Sequence, residues 1–185
     1  MAFSVTEFAA AGLPLGGARP SLFSVIVDTP NGVPNIGARM SFTCSATTIP
    51  SSDVSVLTPH YFGRQIKIAG VRTFPNWSVT IMNDEDFQVR HAMEVWSNSI
   101  IRHRDNSRSA ALTNTSDYKG TATVSQYSKT GVPIRTYRFV NIFPTTISQI
   151  DLSWEMGDAI ENFNVEFAYD YWDLVAPGTT GTLDV

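Results

Sequence analysis

Asn162-Phe163-Asn164-Val165-Glu166-Phe167-Ala168-Tyr169-Asp170-Tyr171 alternates apolar and polar side chains along its length. Successive side chains of a β-strand point to opposite faces. Phe163, Val165, Phe167, Tyr169 and Tyr171 therefore share one face, a large aromatic and aliphatic surface that has to be covered. Asn162, Asn164, Glu166, Ala168 and Asp170 share the other, which is polar and acidic. So regular a strand near the end of the chain reads as the closing element of a sheet.

The same period of two extends upstream. Gly120–Tyr127 and Val132–Phe143 read as a hairpin across Ser128-Lys129-Thr130-Gly131, and Thr145–Trp154 reads as extended again. The aromatic set Tyr137, Phe139, Phe143, Trp154, Phe163, Phe167, Tyr169 and Trp172 follows this spacing and reads as the core of a sandwich or barrel rather than a ligand pocket.

Ser21–Asp28 reads as a strand buried on both sides, with Leu22 and Ile26 on one face and Phe23, Val25 and Val27 on the other. The turn formers of Thr29–Gly37 make a loop, and Ala38–Thr48 reads as a second strand. Val54–Leu57 and Tyr61–Ile68 suggest a long hairpin-like excursion. Trp77, Val79 and Ile81 share a face of Val71–Met82, with Pro75 marking an edge or bulge. One helix is expected at about 84–99, capped by Asn83 or Asp84. Its apolar stripe is Val89, Ala92, Met93, Trp96 and Ile100.

The chain has 185 residues, enough for one well-packed domain. Its 43% hydrophobic and 16% charged residues suggest a β-rich protein whose surface is partly covered by partners. A net charge of −4 opposes tight non-specific nucleic-acid binding. It suits a passage along which phosphate slides without sticking. Cys44 is the only cysteine, so no intrachain disulfide can form. No apolar window is long enough for a membrane helix.

Motifs for catalysis are missing: there is no phosphate-cradling loop, nucleophile elbow or zinc histidine pair. His91 and Glu94 lie three apart and could share a metal, but a solvated helix face explains them better. The run Arg102, Arg104 and Arg108 reads as a salt-bridged loop. Glu155, Asp158 and Glu161 lack the spacing of a calcium loop. No enzyme, cofactor or metal site is expected.

Tyr137-Arg138-Phe139-Val140-Asn141-Ile142-Phe143-Pro144-Thr145-Thr146-Ile147, then Leu152, Trp154 and the run Asn162–Trp172, resemble the tail tube proteins of contractile-tailed, T4-like bacteriophages. The helix Asp84–Trp96 and the segment Arg19–Val25 resemble that family's helix and first strand. The resemblance implies a mainly β fold of two packed antiparallel sheets with one flanking α-helix. Residues 1–185 would be a single tail-tube domain, with a flexible arm at about 1–20 and a tail at about 176–185.

It further implies six-membered rings stacked into a hollow tube, the conduit for viral DNA at ejection. The implied partners are further copies of the chain, a sheath protein, baseplate and tail-terminator proteins. Tape-measure protein and DNA would pass through the lumen unbound, with no membrane involved. The location would be the virion, after synthesis in the host cytoplasm. Glu166 and Asp170 are the candidate lumen-facing acids. Phe139, Phe143, Trp154, Phe163, Val165, Phe167, Tyr169, Trp172 and Trp96 are the candidate fold signature. The alternatives are the inner tube of a bacteriocin or type VI secretion machine, or a monomeric β-sandwich binding module.

Overall fold

One long strand, β9 (Pro133–Ile147), belongs to both halves of the architecture. Its first part is flanked by β8 (Gly120–Tyr127) and β11 (Tyr171–Val175), and its last residues pair with β10 (Asn162–Ala168), all antiparallel. A computed structural model describes residues 8–13, 15–108, 114–155, 157–175 and 182–183. The hydrogen-bonded order is β1-β8-β9-β10-β7-β2, with β11 also on β9 and β12 (Thr182–Leu183) on β11. Here β1 is Phe23–Asp28, β2 is Cys44–Thr47 and β7 is Trp77–Met82. The change of partner along β9 folds the sheet over on itself. Trp77 from the β7 side stacks on Phe139 from the β9 side at 4.4 Å, so the two inner faces meet directly.

The core follows the period of two. Val25 and Val27 (β1), Ala122 and Val124 (β8), Val79 and Ile81 (β7), and Phe163, Val165 and Phe167 (β10) are all buried. Helix α2 (Gln88–Ile100) closes one side through Val89, Ala92, Met93 and Trp96, one stripe at helical spacing. Trp96 donates its indole N–H to the carbonyl of Tyr118 at 2.7 Å, so this buried donor is satisfied. A Cβ on Gly120 would lie 2.3 Å from the carbonyl oxygen of Asp28 and 3.0 Å from Trp96, so the first residue of β8 has to be glycine.

Ala38–Thr48 is not one strand: helix α1 (Gly37–Thr43) precedes β2. The burial of Ile36 and Met40, four apart, is the helical signal that the alternation of Met40–Cys44 obscured. The carboxamide oxygen of Asn35 accepts the Gly37 N–H at 2.9 Å and starts that helix. Helix α2 begins at Gln88 rather than at 84, because Asp84–Phe87 forms a turn. Neither Asn83 nor Asp84 caps it: the Asp86 carboxylate accepts the Gln88 N–H at 3.1 Å.

Strand β1 is buried on one face only, since it lies at the end of the hydrogen-bonded path and Ile26 is exposed. Strand β10 does not close a sheet: it lies between β9 and β7. Its alternation stops at Ala168, and Tyr171 opens a new strand with its ring exposed. Trp154 is fully exposed and forms no part of the core. The described residues of 148–161, Trp154 among them, lie outside every strand once β9 ends at Ile147.

Candidate assembly surface

Between β2 and β7 the chain leaves the core. Strands β3 (Asp53–Leu57) and β6 (Ile68–Thr73) pair antiparallel, and the tip carries β4 (His60–Tyr61) and β5 (Arg64–Gln65). The two-residue turn Phe62-Gly63 has positive φ at both positions, 47° and 74°, as the tight turn of a right-twisted hairpin requires. Glycine adopts that conformation freely, whereas a bulky aromatic does so at a cost. Phe62 is nevertheless there, 92% exposed. Val54, Val56, Leu57, Tyr61, Ile66, Ile68 and Val71 are also exposed. A two-stranded hairpin is marginal alone in water, and an apolar one is a surface made to be covered.

A second feature is the corner where β10 turns into β11. Asn141 sits in the left-handed region (φ 60°) inside β9, next to the change of sheet partner. Its carboxamide N–H donates to the Asp170 carboxylate at 2.7 Å, and Lys119 reaches the same carboxylate at 3.0 Å. The Asp170 N–H donates to the carbonyl of Val140. Partial burial opposes ionisation of Asp170, but Asn141 and Lys119 outweigh it and hold the carboxyl below its ordinary value. A depressed carboxyl stabilises the fold above its ordinary value, and that contribution is lost as pH falls below about 4. The group is half-exposed, so the contribution is below about 1 kcal/mol at neutral pH. Urea melts of Asp170→Asn at pH 7 and pH 3 should show a smaller acid loss of stability than the parent. Equal losses would mean that the corner pair is energetically silent.

Of the two candidate acids, Glu166 lies on β10 beside Ser78 and Thr146, facing away from Phe163, Val165 and Phe167. Asp170 lies beyond the strand and is committed to Lys119 and Asn141. Among the signature residues, Trp96, Phe139, Phe163, Val165 and Phe167 are buried in one cluster. Phe143, Tyr169 and Trp172 pack on its edge. His91 and Glu94 lie on the exposed side of α2, where Glu94 pairs with Arg90 at 2.7 Å. No group of three His, Cys, Asp or Glu placed for a metal occurs among the described residues. Desolvation pushes the Cys44 thiol up to about 11, which leaves it a poor nucleophile. The sequence marks an excursion, but Tyr61–Ile68 is not its return strand: β4 and β5 make a tight tip within it, and the return strand is β6, which the run Val71–Met82 had joined to β7. Its exposure on all sides is not legible, because sequence does not say what lies beside a strand.

A family model described as phage tail tube protein matches residues 18–175. The tail tube protein gp19 of Enterobacteria phage T4 is 31% identical over 157 residues, 84% of this chain and 91% of that one. A chain in the sheath/tube terminator structure of the PVC extracellular contractile injection system, in its extended state, has a similar fold. Its TM-score is 0.63 at 15% identity, over 86% of this chain and 97% of that one. A chain of the six-fold symmetrised anti-feeding prophage baseplate gives 0.61 at 12% identity, over 88% and 98%. The folds of these last two are shared at identities that carry nothing more. The family match, residues 18–175, holds the core strands and the main helix, the phage relative covers 84% of the chain, and the chain belongs to the phage tail tube protein family.

Proposed function

We propose that the chain is the structural subunit of a phage tail tube. Copies would close into six-membered rings, and the rings would stack into the hollow conduit for viral DNA. The observation that carries this reading is the hairpin Asp53–Thr73, an apolar projection that the rest of the described chain leaves exposed. Heterologous contacts of this kind close into rings or propagate along an axis. The strained, exposed Phe62 at the tip fits a wedge seated in a neighbouring subunit.

The polar outer face of β10 and β7, with Ser78, Thr80, Asn164 and Glu166, suits a bore wall, because a neutral-to-acidic surface does not retain phosphate. Glu166 is the lumen-facing acid in this reading, and Asp170 is a corner pin. The role needs no catalysis. A sheath, a baseplate and a terminator would be the partners, and tape-measure protein and DNA the unbound cargo. The assembled location would be the virion, after synthesis in the host cytoplasm. Residues 1–185 would act as one domain whose arm and tail serve assembly. The phage relative in sequence favours a viral tail over another contractile machine.

Electron microscopy of the purified chain across a concentration series, with and without baseplate, tests the proposal. Hollow tubes with Glu166 on the bore are the expected result. Monomers at every concentration, baseplate included, would refute it.

A further inference from the structure

The segment after β9 combines two properties that its own chain leaves unused. Residues 149–161 contain Asp151, Glu155, Asp158 and Glu161 and no Lys, Arg or His. The same segment exposes Leu152, Trp154 and Ile160, with Trp154 fully so. It leaves and returns at one end of β9. The Ser148 N–H donates to the Asn164 carbonyl at 2.8 Å, and the Ser148 hydroxyl accepts the Asn164 N–H at 2.8 Å. Glu161 is held at the base by the Asn83 carboxamide, which leaves Asp151, Glu155 and Asp158 as the exposed acids around the tryptophan.

At the other end of β9 lies an open apolar groove of about 590 Å³. The arm residues Leu13 and Leu15 line it together with Ile134 of β9, and Arg19 and Lys129 stand on its rim. Leu15 is 91% exposed, and both basic residues are exposed. The Lys129 ammonium lies beside Gly16, so the arm runs past the β8–β9 turn. The groove is lined near the start of β9 and the loop follows its end, 15 residues on. No described residue of the loop lines the groove and Trp154 is fully exposed, so the loop does not fill the groove of its own chain.

We propose that the 149–161 loop is an acidic knob, and that its Trp154 docks in the basic-rimmed apolar groove of a second copy of this chain. Charge complementarity identifies the occupant: a loop with three exposed acids and no base meets a groove flanked by two cations. An exposed tryptophan facing an apolar recess is the composition of an interface anchor. Knob and groove are different surfaces, so the contact is head-to-tail and leaves each copy with one free knob and one free groove. It therefore propagates rather than ending in a dimer. The inference rests on the tube reading only in taking the second copy to be part of an assembly, and it names a contact separate from the hairpin.

A disulfide trap tests it. In a Cys44→Ser background, Ser153→Cys and Thr130→Cys place thiols beside the knob and on the groove wall without removing Trp154. Under copper-catalysed air oxidation, intermolecular 153–130 links found by peptide mass mapping are the expected result. Trp154→Ser should reduce their yield roughly tenfold or more, as truncating an interface anchor does. Lys129→Glu should also reduce it, and Glu155→Lys on the same chain should restore part. The five knob and groove sites are exposed, and half-buried Cys44 is replaced in every sample compared, so loss of fold does not separate the variants. Links that form equally without Trp154, or not at all, overturn the proposal. Tubes in the microscope without links would sink this contact and leave the tube reading standing; links without tubes would do the reverse.

Discussion

Removing Asp53–Thr73 and joining its ends with a short Gly-Ser turn is expected to abolish tube formation while leaving a folded monomer. Asp53 and Thr73 are ladder partners, so the cut ends already lie side by side and a turn can bridge them. None of the removed residues belongs to the buried core. The thermal midpoint should therefore move by only a few degrees, roughly what a change of about 1 kcal/mol produces in a chain of this size. The loss should appear in assembly. Within the intact hairpin, Val71→Asp places a charge on a strongly exposed apolar position and should raise the concentration needed for tubes about tenfold, equivalent to about 1.4 kcal/mol. Sedimentation and electron microscopy read both variants. Truncated chains that still build normal tubes would remove the hairpin from the assembly surface.

The second large effect lies in the core. Trp77 is 1% exposed, stacks on Phe139 at 4.4 Å and lies 5.5 Å from Phe167. It joins the two inner faces. Its indole N–H is shared between the Thr47 hydroxyl at 2.9 Å and the Thr48 carbonyl at 3.0 Å, which also anchors β2. Trp77→Ala opens a cavity between the sheets and should cost about 3–5 kcal/mol. That corresponds to a fall of roughly 10 °C in the thermal midpoint. Trp77→Phe keeps a ring on Phe139 but loses the indole bonds to Thr47 and Thr48, and should cost about 1–2 kcal/mol. Denaturant melts of both variants separate packing from hydrogen bonding. An Ala variant within 1 kcal/mol of the parent would mean that the sheets are held together elsewhere.

The cost of these changes follows from positions that were legible in the sequence. Phe163, Val165 and Phe167 alternate, and so do Trp77, Val79 and Ile81; all six are buried. The helical stripe through Val89, Ala92, Met93 and Trp96 was equally plain, because an amphipathic helix carries its burial in a fixed period. Trp154 misled for a related reason. A tryptophan in a β-rich context counts as core by residue type, and only the end of β9 at Ile147 shows that it has left the strand. Ile26 has the same history: alternation says which residues share a face, not whether that face is covered.

The candidate surface was legible only in part. The turn residues and the short apolar runs Val54–Leu57 and Tyr61–Ile68 mark an excursion, and the acids of 149–161 can be counted. That the hairpin is uncovered, and that the tryptophan and the groove stand at opposite ends of β9, depends on how β9 is shared. The sequence by itself determined the buried stretches of β1, β7, β8, β9 and β10, the main helix and the identity of most core side chains, because burial imposes periods of two and 3.6 on the local chain. Only the tertiary structure decided which faces stay bare and which charges are spent within the chain, as Asp170 is on Lys119 and Asn141. Those outcomes depend on pairings across long sequence separations, such as Lys119 with Asp170 or β9 with three different strands, and no local period encodes such pairings.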